Sequence, residues 1–119
     1  ALKWLIQAAE QDYERAQFSL AQRYDNGEGV KQSPATAAKW YLKAAEQGHS
    51  GAQNNIGVMY DTGVGVLKNK SRAHMFFYLA GIKGEQVSIK NLALVRSEMT
   101  VEQIKLAEKL ATEWMEYYP

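Results

Sequence analysis

Apolar and polar residues along this chain follow two periods at once, one helical and one of 36 residues. From about Glu14 to Asp25 the apolar positions Ala16, Leu20, Ala21 and Tyr24 fall on one helical face, and Ala52, Ile56, Gly57 and Tyr60 repeat the spacing. A second kind of segment, from Pro34 to about Gln47, buries Ala37, Ala38, Trp40, Tyr41, Ala44 and Ala45, with a counterpart at about Lys70 to Lys83. The long period ties these together. Trp4-Leu5-Ile6-Gln7-Ala8-Ala9-Glu10-Gln11 returns as Trp40-Tyr41-Leu42-Lys43-Ala44-Ala45-Glu46-Gln47, and 40 − 4 = 36. The same offset carries Ala16 onto Ala52, Tyr24 onto Tyr60 and Ala37 onto Ala73. A weaker third copy places Phe76 at the tryptophan position and Leu92-Ala93 where Leu20-Ala21 and Ile56-Gly57 stand.

Each unit therefore reads as two helices and a turn. Gly27 and Gly63 close the first helix, where a residue free to take positive φ is wanted, and Gly29 and Gly65 let the chain turn back. Ser33-Pro34 reads as an N-cap followed by proline at the first helical position. Gly48 and Gly84 close the second helices. After a last first-helix at about Glu85 to Arg96 the pattern breaks, and Ser97-Glu98-Met99-Thr100 replaces the glycine turn. Thr100 and Gln103 form a capping box. The helix it opens, about Val101 to Tyr118, has Ile104, Ala107, Leu110, Ala111, Trp114 and Tyr117 on one face. Lys105, Glu108, Lys109, Glu113 and Glu116 occupy the other. The organisation expected is an all-α array. Residues 1–13 are the second helix of a truncated upstream repeat, 14–49 and 50–85 are repeats, 86–97 are the first helix of a degenerate last repeat, and 98–119 are a C-terminal capping helix.

A fixed period of this length means stacked units that bury their apolar faces against their neighbours and offer a long surface to a partner. Composition narrows the classes further. The 14 basic and 13 acidic residues balance to +1, and no basic stripe with interleaved aromatics provides the footprint of a nucleic-acid binder. There is no cysteine, hence no disulfide staple and no thiolate metal site, which leaves the redox compartment open. No run of about 18 apolar residues could span a membrane. The chain opens at Ala1 in mid-repeat without a methionine, so a segment of a longer protein is expected, with the C-terminus near that protein's own end.

These residues resemble the Sel1-like repeat, a relative of the tetratricopeptide repeat. The middle unit carries the pattern as Ala52, Ile56-Gly57, Tyr60, Gly63-Val64-Gly65-Val66, Asn69, Ala73 and Phe76. The preceding one carries it as Ala16, Leu20-Ala21, Tyr24, Gly27-Glu28-Gly29-Val30, Ala37, Trp40, Ala44-Ala45 and Gly48. Ser33 and Asn69 depart from the aspartate frequent in the family, and the stretch from Met99 to Trp114 resembles the tail of many bacterial members. The resemblance implies a right-handed α-α superhelix, or solenoid, acting as an adaptor or scaffold in bacterial signalling, envelope assembly or host interaction. The compartment, cytoplasm or periplasm or outside the cell, stays open. The absence of cysteine argues against the branch with a disulfide in each repeat.

Chemistry finds little footing. The paired glycines follow no strand, lack the third glycine of a dinucleotide fingerprint and the lysine of a P-loop, and recur with the repeat, so they read as turns. His49 and His74 have no partners at metal-ligand spacing and read as surface or loop histidines, with no metal and no cofactor implied. No serine sits in a nucleophile elbow. Asp25 and Asp61 recur at the ends of first helices, where a bond to a nearby loop amide is expected rather than a catalytic pair. Trp4, Trp40 and Phe76 read as core. An enzyme is not expected.

A partner surface is. In tetratricopeptide-like arrays the first helices line the concave side, and by that resemblance its exposed positions are Arg15, Phe18, Ser19 and Gln22, then Asn54, Asn55, Val58 and Asp61, then Lys90, Asn91 and Leu94. Asn55 and Asn91 stand 36 apart. In the related grooves an asparagine there bonds a bound peptide's backbone, which suits an amide that donates and accepts; the alternative is a bond to a neighbouring helix. Phe18 is either a ligand anchor or covered by an upstream repeat. The leading expectation is a protein or peptide partner on the concave face. The other is an architectural or self-associating module joined through the apolar side of its first helix, Leu2, Leu5, Ile6 and Ala9.

Overall fold

Helix ends are set by single side chains here, and the computed structural model, which describes residues 2–119, shows how. The helices are α1 (Leu2–Glu10), α2 (Glu14–Asn26), α3 (Pro34–Glu46), α4 (Ser50–Thr62), α5 (Lys70–Gly81), α6 (Gln86–Arg96) and α7 (Val101–Tyr117). Gly27 and Gly63 end α2 and α4 at φ 70° and 76°, a conformation that a Cβ would strain. The Ser33 hydroxyl accepts from the Thr36 N–H before α3, and one repeat on Asn69 Oδ1 accepts from the Arg72 N–H at 3.0 Å before α5. Ser33 and Asn69 are the family's aspartate position, and both do the work of an N-cap. The Thr100–Gln103 box opens α7 with both reciprocal bonds present. His49 caps α4, its Nδ1 accepting from the Ala52 N–H at 3.0 Å.

Each helix packs on the next, α1 to α2 through α5 to α6, to give a right-handed α-solenoid 46 × 28 × 22 Å. Alanines at the crossings (Ala21, Ala37, Ala44, Ala45 and Ala52) are wholly buried and let backbones approach, while Tyr41, Ile56 and Phe76 fill the space between. Gly57 is the tightest crossing, because a Cβ there would stand 2.7 Å from the Phe77 ring.

The array closes by a different geometry. α7 packs on α5, running in the same sense: the Ser71 hydroxyl donates to the Gln103 carbonyl at 3.1 Å near both starts, and Phe76 meets Trp114 edge-on at 5.1 Å further along. The sequence prepares this seat. α3 shows Lys39 and Lys43 to solvent, and 36 residues later α5 carries Met75 and Leu79, 5% and 3% exposed. A helix apolar on all sides is one covered on all sides, and α5 lies between α4, α6 and α7.

Two expected core positions and one expected open position are corrected. Trp4, at the place of Trp40 and Phe76, is 75% exposed, because the surface that covers Phe76 is supplied by Trp114 of α7, while α1 packs chiefly on α2. Tyr117 lies beyond the seat on α5 and is exposed. Ala9 is buried rather than part of an open apolar side, since the Gln17 amide reaches its carbonyl.

Candidate interaction face

The first helices α2, α4 and α6 repeat in register, so that positions 36 apart occupy equivalent places. One such row, Gln22, Val58 and Leu94, is exposed from end to end, with Leu94 at 66%. Arg15 and Lys90 are exposed as well, and Ser19, Asn55, Asp61 and Asn91 are half-buried. Asn54 is not on the surface. It is buried, and its Oδ1 accepts from the Ser88 hydroxyl at 2.7 Å and the Asn91 amide at 3.2 Å, so it ties α4 to α6. Phe18 is half-buried and stacks on His49 at 4.4 Å, beside Tyr41, so its cover comes from its own repeat and not from an upstream one.

The two asparagines at equivalent places behave differently, because the residues around them differ between the repeats: Phe77 replaces Tyr41, Lys70 replaces Pro34 and Asn54 replaces Phe18. The Tyr41 hydroxyl donates to Asp25 Oδ2 at 3.3 Å and also meets the Asn55 side chain, linking α2, α3 and α4. Burial pushes this phenol up to about 12; the Asn55 amide pulls the other way, and the Asp25 carboxylate adds to the rise. One repeat on, Phe77 stands in place of Tyr41. Asp61 turns instead to Lys70, which also bonds Glu98 at 2.9 Å, and the two carboxylates hold the Lys70 ammonium above its ordinary value. Asn91 turns to Asn54. Asp25 and Asp61 therefore meet side chains, not the loop amides expected of them.

Two further residues went unnoticed in the sequence. Gln17 and Gln53, 36 apart, are buried, and each sends its amide back to the preceding helix, Gln17 to the Ala9 carbonyl at 3.1 Å and Gln53 to the Ala45 carbonyl at 3.2 Å. The signal was there: an identical polar residue at one offset on an otherwise apolar face. His74 is also corrected, from surface to core, at 2% exposed.

The repeat model of the Sel1 family matches residues 1–13, 14–49 and 50–85. The chain belongs to the Sel1 repeat family. Among solved structures, a protective antigen of uropathogenic Escherichia coli displaying an SLR fold superposes with a TM-score of 0.93 at 34% identity over 99% of the chain. A Sel1 repeat protein from Oxalobacter formigenes gives 0.75 at 35% identity over 77%. The chain spans 26% of the first and 38% of the second. No curated protein matches it. Sel1 repeats generally mediate protein–protein interaction, on a scaffold that is typically non-catalytic. Among the described residues, no helix is long and apolar enough to cross a membrane, and no cluster of three potential metal ligands occurs.

Proposed function

We propose that this Sel1 repeat segment is a non-enzymatic scaffold that binds a peptide or protein partner on the concave face of α2, α4 and α6. The observation that carries the reading is the row Gln22, Val58 and Leu94, which no helix covers and which turns from polar to apolar along the array. Val87 on α6 adds to the apolar end at 50% exposed. A partner segment lying across the row would set apolar side chains on Val58, Val87 and Leu94 and polar groups near Arg15 and Gln22. Asn55, Asn91 and Asp61 border this row but are engaged within the array, so their part is to hold the face in shape. The test is affinity capture from lysate of the source organism, with the natural segment beside a folded Arg15→Glu, Val58→Asp, Leu94→Asp variant. A protein retained by the first and lost by the second is the expected result. Identical captures by both would overturn the reading.

A second reading, self-association through α1, is favoured by the bare Trp4 with half-buried Leu5 and Ala8 beside it. Concentration-dependent light scattering that vanishes in Trp4→Glu would support it; a monomer at every concentration would exclude it.

A further inference from the structure

Two departures from the 36-residue pattern meet in space. Where α3 has Ala38, α5 has His74, and where the first helices have Tyr24 and Tyr60, α6 has Arg96. The Arg96 guanidinium lies 3.4 Å from His74 Nε2. With Glu108 and Thr112 of α7, and apolar surface from Tyr78, Ala111 and Met115, they line a cavity of about 210 Å³ between α5, α6 and α7. At about 30 Å³ for each water this is room for a small organic molecule.

Arg96 meets His74 in this cavity, but its charge is not paired with a carboxylate. A guanidinium only donates, so Nε2 is the acceptor and the ring proton sits on Nδ1. That atom is buried and has no hydrogen-bond partner. Among the described residues the ion pairs are those of Lys70 with Asp61 and Glu98; Arg96 and Glu108 share the cavity without reaching each other. One wall thus offers a cation, and the other an unpaired carboxylate. An anion alone would meet Glu108 and a cation alone would meet Arg96. A small molecule carrying both charges on neighbouring atoms satisfies both walls.

We propose that this cavity binds a free α-amino acid as its zwitterion, the carboxylate on the Arg96 guanidinium that His74 Nε2 holds in place, the ammonium on Glu108, and the side chain against Tyr78 and Met115. The site is separate from the row of Gln22, Val58 and Leu94, and it does not depend on the reading given to that row. Bound there, the ligand would bridge α6 and α7, which otherwise meet chiefly through α5.

The test is calorimetry and thermal shift with glycine, alanine, leucine, methionine and glutamate at millimolar concentration, beside acetate and methylammonium. The His74 ring is followed by NMR in the same samples. At least one amino acid should bind saturably, raise the melting temperature and move the His74 signals, while acetate and methylammonium do neither. Arg96→Gln and Glu108→Gln change exposed side chains and should each weaken binding about tenfold or more, the loss of a charge-assisted hydrogen bond. His74→Ala, which installs the residue the preceding repeat carries, should weaken it as well. Binding of none of the amino acids, or binding unchanged in folded Arg96→Gln, would overturn the proposal. Acetate binding as tightly as any amino acid with no effect of Glu108→Gln would overturn it too, leaving a plain carboxylate site.

Discussion

Tyr41 and Phe77 hold the same place one repeat apart, and the hydroxyl that separates them joins Asp25 and Asn55 in the first repeat and leaves their counterparts Asp61 and Asn91 to other partners. With it, Asp25 and Asn55 are drawn together across three helices. Without it, Asp61 pairs with Lys70 and Asn91 with Asn54. A repeat array can keep its backbone constant while its polar wiring is redirected by a few substitutions.

Removing that hydroxyl should be costly in the first repeat. Tyr41→Phe leaves a half-buried carboxylate and amide without their shared partner, and a loss of about 1–3 kcal/mol is expected in urea denaturation. Asp25→Asn in the same background should cost little more, since the two share one interaction.

Gly57→Ala pits local preference against packing. Alanine favours a helix interior over glycine by about 1 kcal/mol. The new methyl would lie 2.7–2.8 Å from the Phe77 ring and 3.3 Å from Phe76 Cβ. Overpacking of this kind costs about 1–3 kcal/mol, so the variant should be less stable than the natural chain. Combined with Phe77→Leu, it should recover part of the loss; equilibrium unfolding of the three variants checks both.

The seat of α7 should fail when α5 is given the outward face of α3. Met75→Lys and Leu79→Lys each remove a buried apolar side chain, a change worth about 2–5 kcal/mol, though a lysine stem recovers part by snorkelling. Hydrogen exchange should show α7 amides opening while α2 and α3 stay protected. Lys39→Met, by contrast, should leave exchange unaltered.

His74 should make stability depend on pH. Burial holds its pKa below the ordinary histidine value, Arg96 of α6 pushes the same way, and Glu108 of α7 opposes both. With the folded value lowered, the unfolded chain takes up the proton first as pH falls. Stability is then full above the unfolded value near 6.5 and declines as pH drops below it toward the folded one. His74→Ala should flatten that decline between pH 7.5 and pH 5 in thermal unfolding, while His49→Ala should not.

Most of the fold was legible because most of it is written locally. Ser33, Thr100 and Gln103 cap where a cap was expected, and Gly27 and Gly63 end helices where positive φ was expected. What escaped depends on atoms far away in the chain. The exposure of Asn54 could not be judged without knowing that Ser88, 34 residues later, sits against it. Trp4 shares its pattern with Phe76, but burial of that position takes a neighbour such as Trp114, and periodicity says nothing about whether one is present. The candidate face was likewise legible as a set of equivalent positions. Which members are free depended on side chains that differ between the repeats, Tyr41 against Phe77 among them.

The grip of three helices on α5 makes the repeats unequal in time as well as in space. α1 holds to the array chiefly through α2, and its buried contribution is a single alanine and the carbonyl that Gln17 reaches. α5 cannot leave without releasing α4, α6 and α7 together. In a one-dimensional array whose units are stabilised by their neighbours, such asymmetry gives loss of structure a direction. Opening is expected to run like a zipper from α1, and the last segment to surrender would be the one that carries both the most apolar part of the proposed partner row and the charged cavity.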